Sequence, residues 1–284
     1  MGLPVAQRLL AAGLTVVGYR RSGAPPSFLR AGGRAGSSPA EVAQSCPVVV
    51  TVLPSAQALA SVISREHGLA AATRGGGVLI EMSTLPEEAK RAAARQLGER
   101  GWATLDCPIS GAAPQMRSGQ AVLFSSGPRE AHDRVLPLLT AISSRVYYLG
   151  EFGRGTRAKY TAHLLLAGHS LVAAEALAFA HKAGLDLADV LAMLSGTIVS
   201  SNVFDMRGPR VLGPVGSHTG GAPLRTLAAS LAELHDFAAQ WVPTRRCWIR
   251  LSSASIACHQ TATTSCSWRS SASWPPPMLR AAET

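Results

Sequence analysis

The chain has 284 residues, 47% hydrophobic and 15% charged, with 27 basic against 17 acidic side chains and a formal net charge of +10. This is the balance of a core-forming protein, long enough for two domains or one large one, and it excludes a disordered chain. The arginines are scattered, with no basic stripe or interleaved aromatics, which argues against a nucleic-acid surface; five of them stand against one acid, Glu283, in the last 45 residues.

The first 150 residues alternate two periodicities. "LPVAQRLLAAG" has apolar residues at helical spacing and a glycine stop, and "LTVVGYRRS" follows as a buried strand with a polar end. "SPAEVAQS" reads as a short capped helix and "PVVVTVLP" as a β-branched strand. "SAQALASVISREHG" is a helix, "GGVLIEMST" a strand, and "LPEEAKRAAARQLGERG" a helix with proline near its start and acids in its first turn. "WATLDCPISG", "QAVLFSSG", "PREAHDRVLPLLTAIS" and "SRVYYLG" continue the alternation. Strands separated by helices of this length predict an α/β fold with a mainly parallel, doubly wound sheet.

The pattern changes after Gly150. One long helix is expected from about Gly153 to Ala183, with Gly184 as its stop, then helices in "LDLADVLAMLSG" and "PLRTLAASLAELHDFAAQ" with no strand between. The second domain is therefore expected to be all-helical. Residues 241–284 break the composition: Ser, Thr, Trp, Cys and Arg crowd together without a period, the mark of a frameshifted or disordered tail.

Polar interruptions in "AHLLLAGHSLVAAEALAFAH" lead us to expect no membrane span. The N-terminus lacks the pattern of a signal peptide. The five cysteines lack metal-ligand spacing, so a reducing, cytoplasmic compartment, no disulfide framework and no metal site are expected.

Four places carry chemistry. A parallel sheet binds ligands beyond the carboxyl ends of its strands, and a nucleotide-binding sheet puts an acid at the end of its second strand. Here that end offers Arg20, Arg21 and Ser22, which suits a 2′-phosphate and so favours NADP(H) over NAD(H). Gly2 stands where the third glycine of a phosphate loop would be, with the first strand and two earlier glycines absent from the sequence. In "DCPISGAAPQ", Ser110, Gly111 and Ala112 can turn a hydroxyl and N–H groups toward a carboxylate. Finally, Lys159 opens an apolar helix in a chain where only three basic residues are lysines, Lys90, Lys159 and Lys182. Lysine can surrender a proton when desolvated and arginine cannot, so Lys159 is the candidate for proton transfer, with His163 one turn on.

Together "MGLPVAQRLLAAG", "GYRRS", "TVLPS", "EMST", "DCPISGAA", "GRGTRAKY" and "AGLDLADVL" resemble the β-hydroxyacid dehydrogenases, the 3-hydroxyisobutyrate dehydrogenase-like group, over roughly residues 1–240. The resemblance implies a Rossmann-type NADP-binding domain (1–152), an all-helical domain entered by a long interdomain helix (153–240), and a homo-oligomer. It implies hydride transfer between NADP(H) and a short hydroxy acid or its semialdehyde, with Lys159 as general acid/base. Ser110, Gly111, Ala112 and His163 would bind substrate; Gly2, Arg20, Arg21, Ser22, Leu53, Pro54, Ser83 and Thr84 would bind cofactor. The chain departs from the family in having His163 for an asparagine, Ala229 and Ser230 for a lysine–aspartate pair, and no first strand. The competing expectation is a non-catalytic remnant that keeps the helical domain for dimerisation or interaction.

Overall fold

The computed structural model describes residues 1–72 and 75–212. The elements are α1 (Gly2–Ala11), β1 (Val17–Gly18), α2 (Pro26–Arg30), β2 (Arg34–Ala35), α3 (Pro39–Ser45), β3 (Val48–Thr51), α4 (Ala56–Ser64), β4 (Val78–Glu81), α5 (Glu87–Gly98) and β5 (Ala103–Asp106). They continue as β6 (Ile109–Ser110), α6 (Ala113–Arg117), β7 (Val122–Ser125), α7 (Arg129–Ile142), β8 (Arg145–Tyr148), α8 (Arg154–Lys182), α9 (Leu187–Leu194) and α10 (Asn202–Arg207).

Why the strands lie between two helical layers is clearest in β4, where every residue is buried. Val78 and Ile80 join one core with Val5 and Leu9 of α1 and Val135, Leu139 and Ile142 of α7. Leu79, between them, joins the opposite core with Leu59 and Ile63 of α4 and Leu97 of α5. A strand buried on both faces suits parallel pairing, and β3, β4 and β5 pair in parallel, in that order. Serine and aspartate side chains start the helices as the sequence suggests: Ser38 caps α3, Ser55 caps α4 and Asp186 caps α9, each accepting backbone N–H bonds.

The expectation of an α/β fold with mainly parallel strands followed by helices holds, and the ladders divide as follows. β1 and β2 pair in parallel as a separate two-stranded ribbon, and no ladder joins it to β3 among the described residues. The strand read from "LTVVGYRRS" therefore shrinks to two residues. A third sheet has β6 antiparallel to β7, in the register that Asp106 opposite Ser126 already sets, so β6 continues the line of β5, and β8 is parallel to β7. The short elements α2, β2, α6 and α10 carry too few residues for a period and escaped the sequence reading. The helix expected in "PLRTLAASLAELHDFAAQ" and the tail from 241 lie outside the described residues.

The two larger sheets meet at one residue pair. The Asp106 N–H donates to the Ser126 carbonyl at 2.9 Å and the Ser126 N–H returns to the Asp106 carbonyl at 2.8 Å. Onto this junction α8 docks with its first turn. Gly153, just before it, has φ +98°, a conformation that favours glycine. Gly155 has ordinary helical backbone, but a Cβ there would lie 2.3 Å from the Phe124 carbonyl oxygen and 2.7 Å from that of Asp106. Farther along, α8 packs with α9 and α10 around Leu177, Val190, Leu191 and Phe204. Despite its polar interruptions α8 is long and apolar enough, by length and composition alone, to cross a membrane, with a mean hydropathy of 1.4 over its most apolar stretch.

Gly155→Ala should destabilise the chain by about 1–3 kcal/mol, because rigid backbone must move to admit a methyl group. Gly168→Ala, in the same helix with open space around it, should instead stabilise by about 0.5–1 kcal/mol. Urea unfolding of both variants checks the contrast.

Candidate active site

The carboxyl ends of the three central strands fall in register. Thr51 lies opposite Glu81, and Glu81 opposite Asp106, so two carboxylates and a hydroxyl stand in one row. Both carboxylates are fully buried. An unpaired buried charge costs several kcal/mol, and α5 supplies the counter-charge: Lys90, also fully buried, puts Nζ 2.9 Å from Glu81 Oε2 and 2.9 Å from Asp106 Oδ1. The same ammonium donates to the Ser83 carbonyl at 2.6 Å. Burial pulls the Lys90 pKa down, but the charges of Glu81 and Asp106 outweigh that and hold it above the ordinary lysine value.

This row organises the loops that follow the strands. Glu81 Oε1 accepts the Ser83 N–H at 3.0 Å, and the Thr51 hydroxyl donates to it at 3.4 Å. Ser83 Oγ in turn accepts the Leu53 N–H at 2.7 Å. Leu53 and Ser83, expected on the cofactor side, are thus joined by a hydrogen bond, with Pro54 and Thr84 beside them in sequence and Pro54 exposed. Beyond β1, Arg20, Arg21 and Ser22 sit on an exposed turn closed by the Gly23 N–H to the Arg20 carbonyl. Gly2 begins α1 beside Val52, where a Cβ would make only ordinary contact at 3.6 Å, so packing alone does not demand glycine there.

On the other side Asp106 holds α8. Its Oδ2 accepts the Thr156 N–H at 2.7 Å and its Oδ1 accepts the Thr156 hydroxyl at 2.8 Å, while Ser126 Oγ accepts the Gly155 N–H at 2.9 Å. A carboxylate at a helix N-terminus meets both its unpaired N–H groups and its dipole. One turn on, Lys159 is buried, and desolvation brings its pKa down to about 8. No carboxylate among the described residues offsets that burial. His163 follows on the same face; its Nδ1 is buried without a hydrogen-bond partner, and burial and the Lys159 charge push its pKa down to about 3.

α8 packs against β5, β6 and β7, which brings the Lys159 turn to the sheet that carries Ser110. Ser110 ends β6 half-buried and Gly111 is exposed with φ +143°. The Ala112 N–H donates to Gln115 Oε1 at 3.1 Å, so of the groups expected to meet a carboxylate this one is already engaged. Cys107, fully buried next to this loop, has its thiol pKa pushed up by burial and is not poised as a nucleophile. Sequence reasoning missed Glu81, Lys90, Asp106, Ser126 and Thr156. Among the described residues no cluster of His, Cys, Asp and Glu could hold a metal ion.

A parallel sheet covered on both faces and followed by a long helix is the architecture of the doubly wound folds, which bind ligands at the carboxyl ends of their strands. Residues 1–150 match the family described as the NAD binding domain of 6-phosphogluconate dehydrogenase, and residues 153–222 match the NAD-binding domain of NADP-dependent 3-hydroxyisobutyrate dehydrogenase. The chain is 36% identical over 214 residues to an L-threonate dehydrogenase of Cupriavidus necator, covering 75% of this chain and 72% of that protein. It is 32% identical over 209 residues to the mitochondrial 3-hydroxyisobutyrate dehydrogenase of Mus musculus, covering 72% of this chain and 62% of that one. Its fold is similar to a crystal structure of 3-hydroxyisobutyrate dehydrogenase from Salmonella typhimurium, with a TM-score of 0.78, 26% identity and coverage of 92% and 90% of the two chains. The chain belongs to the β-hydroxyacid dehydrogenase family, in its 3-hydroxyisobutyrate dehydrogenase-like group, and is by class an NAD(P)-dependent hydroxyacid dehydrogenase.

Lys90→Met, which strips the counter-charge from two buried carboxylates, should cost about 3–5 kcal/mol. Thermal and denaturant melts at neutral pH read that loss directly.

Proposed function

We propose that this protein oxidises a short hydroxy acid, or reduces the matching semialdehyde, with Lys159 as general acid/base and NADP(H) as the preferred cofactor. The observation that carries this reading is Lys159 itself, buried near the start of α8 with no carboxylate partner among the described residues and a pKa of about 8. A bound nicotinamide supplies or receives the hydride. Lys159 Nζ gives a proton to the substrate oxygen in reduction and takes one in oxidation, help worth on the order of 10²–10⁴ in rate. His163, held neutral, keeps its unpartnered Nδ1 as a hydrogen-bonding atom for the substrate. Ser110 and Gly111 face the substrate carboxylate, with Ala112 shaping the turn. Leu53, Pro54, Ser83 and Thr84 line the cofactor cleft, and Gly2 opens the helix that faces its phosphates. The exposed Arg20 and Arg21, with Ser22, meet the 2′-phosphate. L-threonate and 3-hydroxyisobutyrate, named for the two relatives above, are the substrates to try first. Leu165, Val172 and Phe179, spaced by seven along α8 and each more than half exposed, support self-association through the helical part.

One observation favours a second reading, a family member that keeps the fold without turnover: among the described residues the ribbon of β1 and β2 shares no ladder with β3. Thermal-shift titration separates the two readings, since a ligand that binds only the folded state raises its stability. An NADPH-dependent shift larger than that with NADH supports the first reading; a cooperative melt without a shift supports the second.

Lys159→Met should abolish turnover and leave NADPH binding nearly intact; undiminished turnover refutes the acid/base role. In the unaltered protein, hydroxy-acid oxidation needs the free amine, so kcat should rise with pH and level off above about 8, while reduction should decline above it. His163, already neutral, adds no limb near the ordinary imidazole range. Replacing both Arg20 and Arg21 by alanine should weaken NADPH binding about 10–100-fold, the worth of charge-assisted hydrogen bonds, and leave NADH affinity nearly unchanged. Calorimetric titration with each nucleotide measures the difference.

A further inference from the structure

Glu81, Lys90, Asp106 and Thr156 make contacts that a helix cap alone does not require. A serine or threonine hydroxyl suffices to satisfy a helix N-terminus, yet here it is a buried carboxylate, with a buried lysine and a second carboxylate behind it. The connections run without a break. From the loop after β3 they pass through the Leu53 N–H to Ser83 Oγ, through the Ser83 N–H to Glu81, across Lys90 to Asp106, and from Asp106 to the backbone and hydroxyl of Thr156. Ser126 adds a second hold, donating to the Asp106 carboxylate at 3.3 Å while accepting the Gly155 N–H. Lys159 is three residues past Thr156 and shares its side of the helix.

We propose that Asp106 and Thr156 are positioning residues for Lys159, and that Lys90 and Glu81 extend the same hold to the loops at Leu53 and Ser83. The amine and the cofactor-side loops are thereby set relative to one another by a single buried network. This rests on the reading of Lys159 as the acid/base. Position matters because reacting groups must lie within a few tenths of an ångström of their productive geometry, and a displacement of about 1 Å can cost about 100-fold in rate. None of the four residues need touch substrate.

Thr156→Val keeps the shape of the side chain and removes the hydroxyl that donates to Asp106; Thr156→Ser keeps the hydroxyl. The lysines provide a readout independent of turnover, since the full chain has only three. After reductive ¹³C-methylation, with Lys159→Arg and Lys182→Arg variants for assignment, NMR follows Lys159 through its titration. A loosened first turn admits water to the amine, and hydration favours the charged form. Thr156→Val should therefore move the Lys159 titration upward from about 8 toward the ordinary lysine range, by roughly half a unit or more. It should also lower kcat about tenfold, with nucleotide affinity within about twofold. Thr156→Ser should restore both. If Thr156→Val leaves titration and kcat unchanged while Lys159→Met is inactive, the positioning role is overturned and the acid/base role stands. If Lys159→Met retains turnover, the acid/base role fails, and the titration alone still decides whether Thr156 sets the environment of that amine. Should Thr156→Val not fold, Ser126→Ala, which removes the partner of the Gly155 N–H, is judged by the same titration: an upward shift supports the network and an unchanged value overturns it.

Discussion

Placing one ammonium between two carboxylates at the closed end of a parallel sheet is the constraint on which this structure turns. Glu81 and Asp106 end adjacent strands in register, so their side chains are forced together at a level where the helical layers exclude water. Two like charges at that spacing in a low-dielectric interior cannot both persist without a cation between them. Lys90 meets three acceptors with its three N–H bonds, the Ser83 carbonyl and one oxygen from each carboxylate, although its approach to Glu81 Oε2 is aligned as an ion pair rather than a hydrogen bond. The remaining acceptor capacity of Asp106 is then directed at the first turn of α8 and at the Ser126 hydroxyl.

The helix therefore starts where the sheet dictates. Its first residues contribute small groups at the places of closest approach: Gly155 lies against two strand carbonyls, and Thr156 supplies two donors to one carboxylate. On the outer side Glu87 of α5 pairs with Arg157, so the same turn is gripped from two directions. Burial raises the Glu87 pKa, but the hydrogen bonds from Arg157 and Arg91 outweigh it and leave the carboxylate below its ordinary value. Farther along, α8 is held mainly by apolar contacts with α9 and α10, with one hydrogen bond from Arg207 of α10 to Ser170 Oγ. The first turn is fixed to the sheet by several directional bonds, and Lys159 lies on the turn that follows it.

Much of this was legible in the sequence because periodicity reports burial directly. The apolar runs that became β3, β4 and β7 and the amphipathic helices α4, α5 and α7 lie close to where their patterns put them. What escaped has physical causes. The ribbon of β1 and β2 is short because pairing, not propensity, sets strand length, and pairing partners are invisible in a linear pattern. α2 and α6, at five residues each, are shorter than two turns and have no period to find. Lys90 was missed for a different reason. In "EEAKRAAARQLG" it stands among acids and arginines and reads as part of a solvated face, yet Lys90, Ala93 and Leu97 are the buried positions of α5. Their spacing of three and four is the helical core period, and reading the lysine as a core residue would have exposed it.

The scarcity of lysine that drew attention to Lys159 applies with equal force to Lys90, and the two cases explain each other. Arginine serves wherever a charge only needs to be solvated or to form a planar fork with a carboxylate. At Lys90 the acceptors converge on a point between two strands and a loop, a geometry that suits a compact tetrahedral ammonium and not a flat guanidinium with five donors. At Lys159 the requirement is the opposite one, a cation that can cease to be a cation, which a guanidinium cannot meet. Both amines are buried on helices facing the same edge of the sheet, and burial depresses both. The carboxylates reverse the effect at Lys90, and none among the described residues does so at Lys159, so one lysine is fixed as a permanent charge while the other is left near the pH at which protons move. Lys182, the third, sits exposed in the last turn of α8, where the helix dipole welcomes any cation. In a chain that otherwise chooses arginine, lysine has been kept at the two interior positions where the chemistry of the ammonium cannot be replaced.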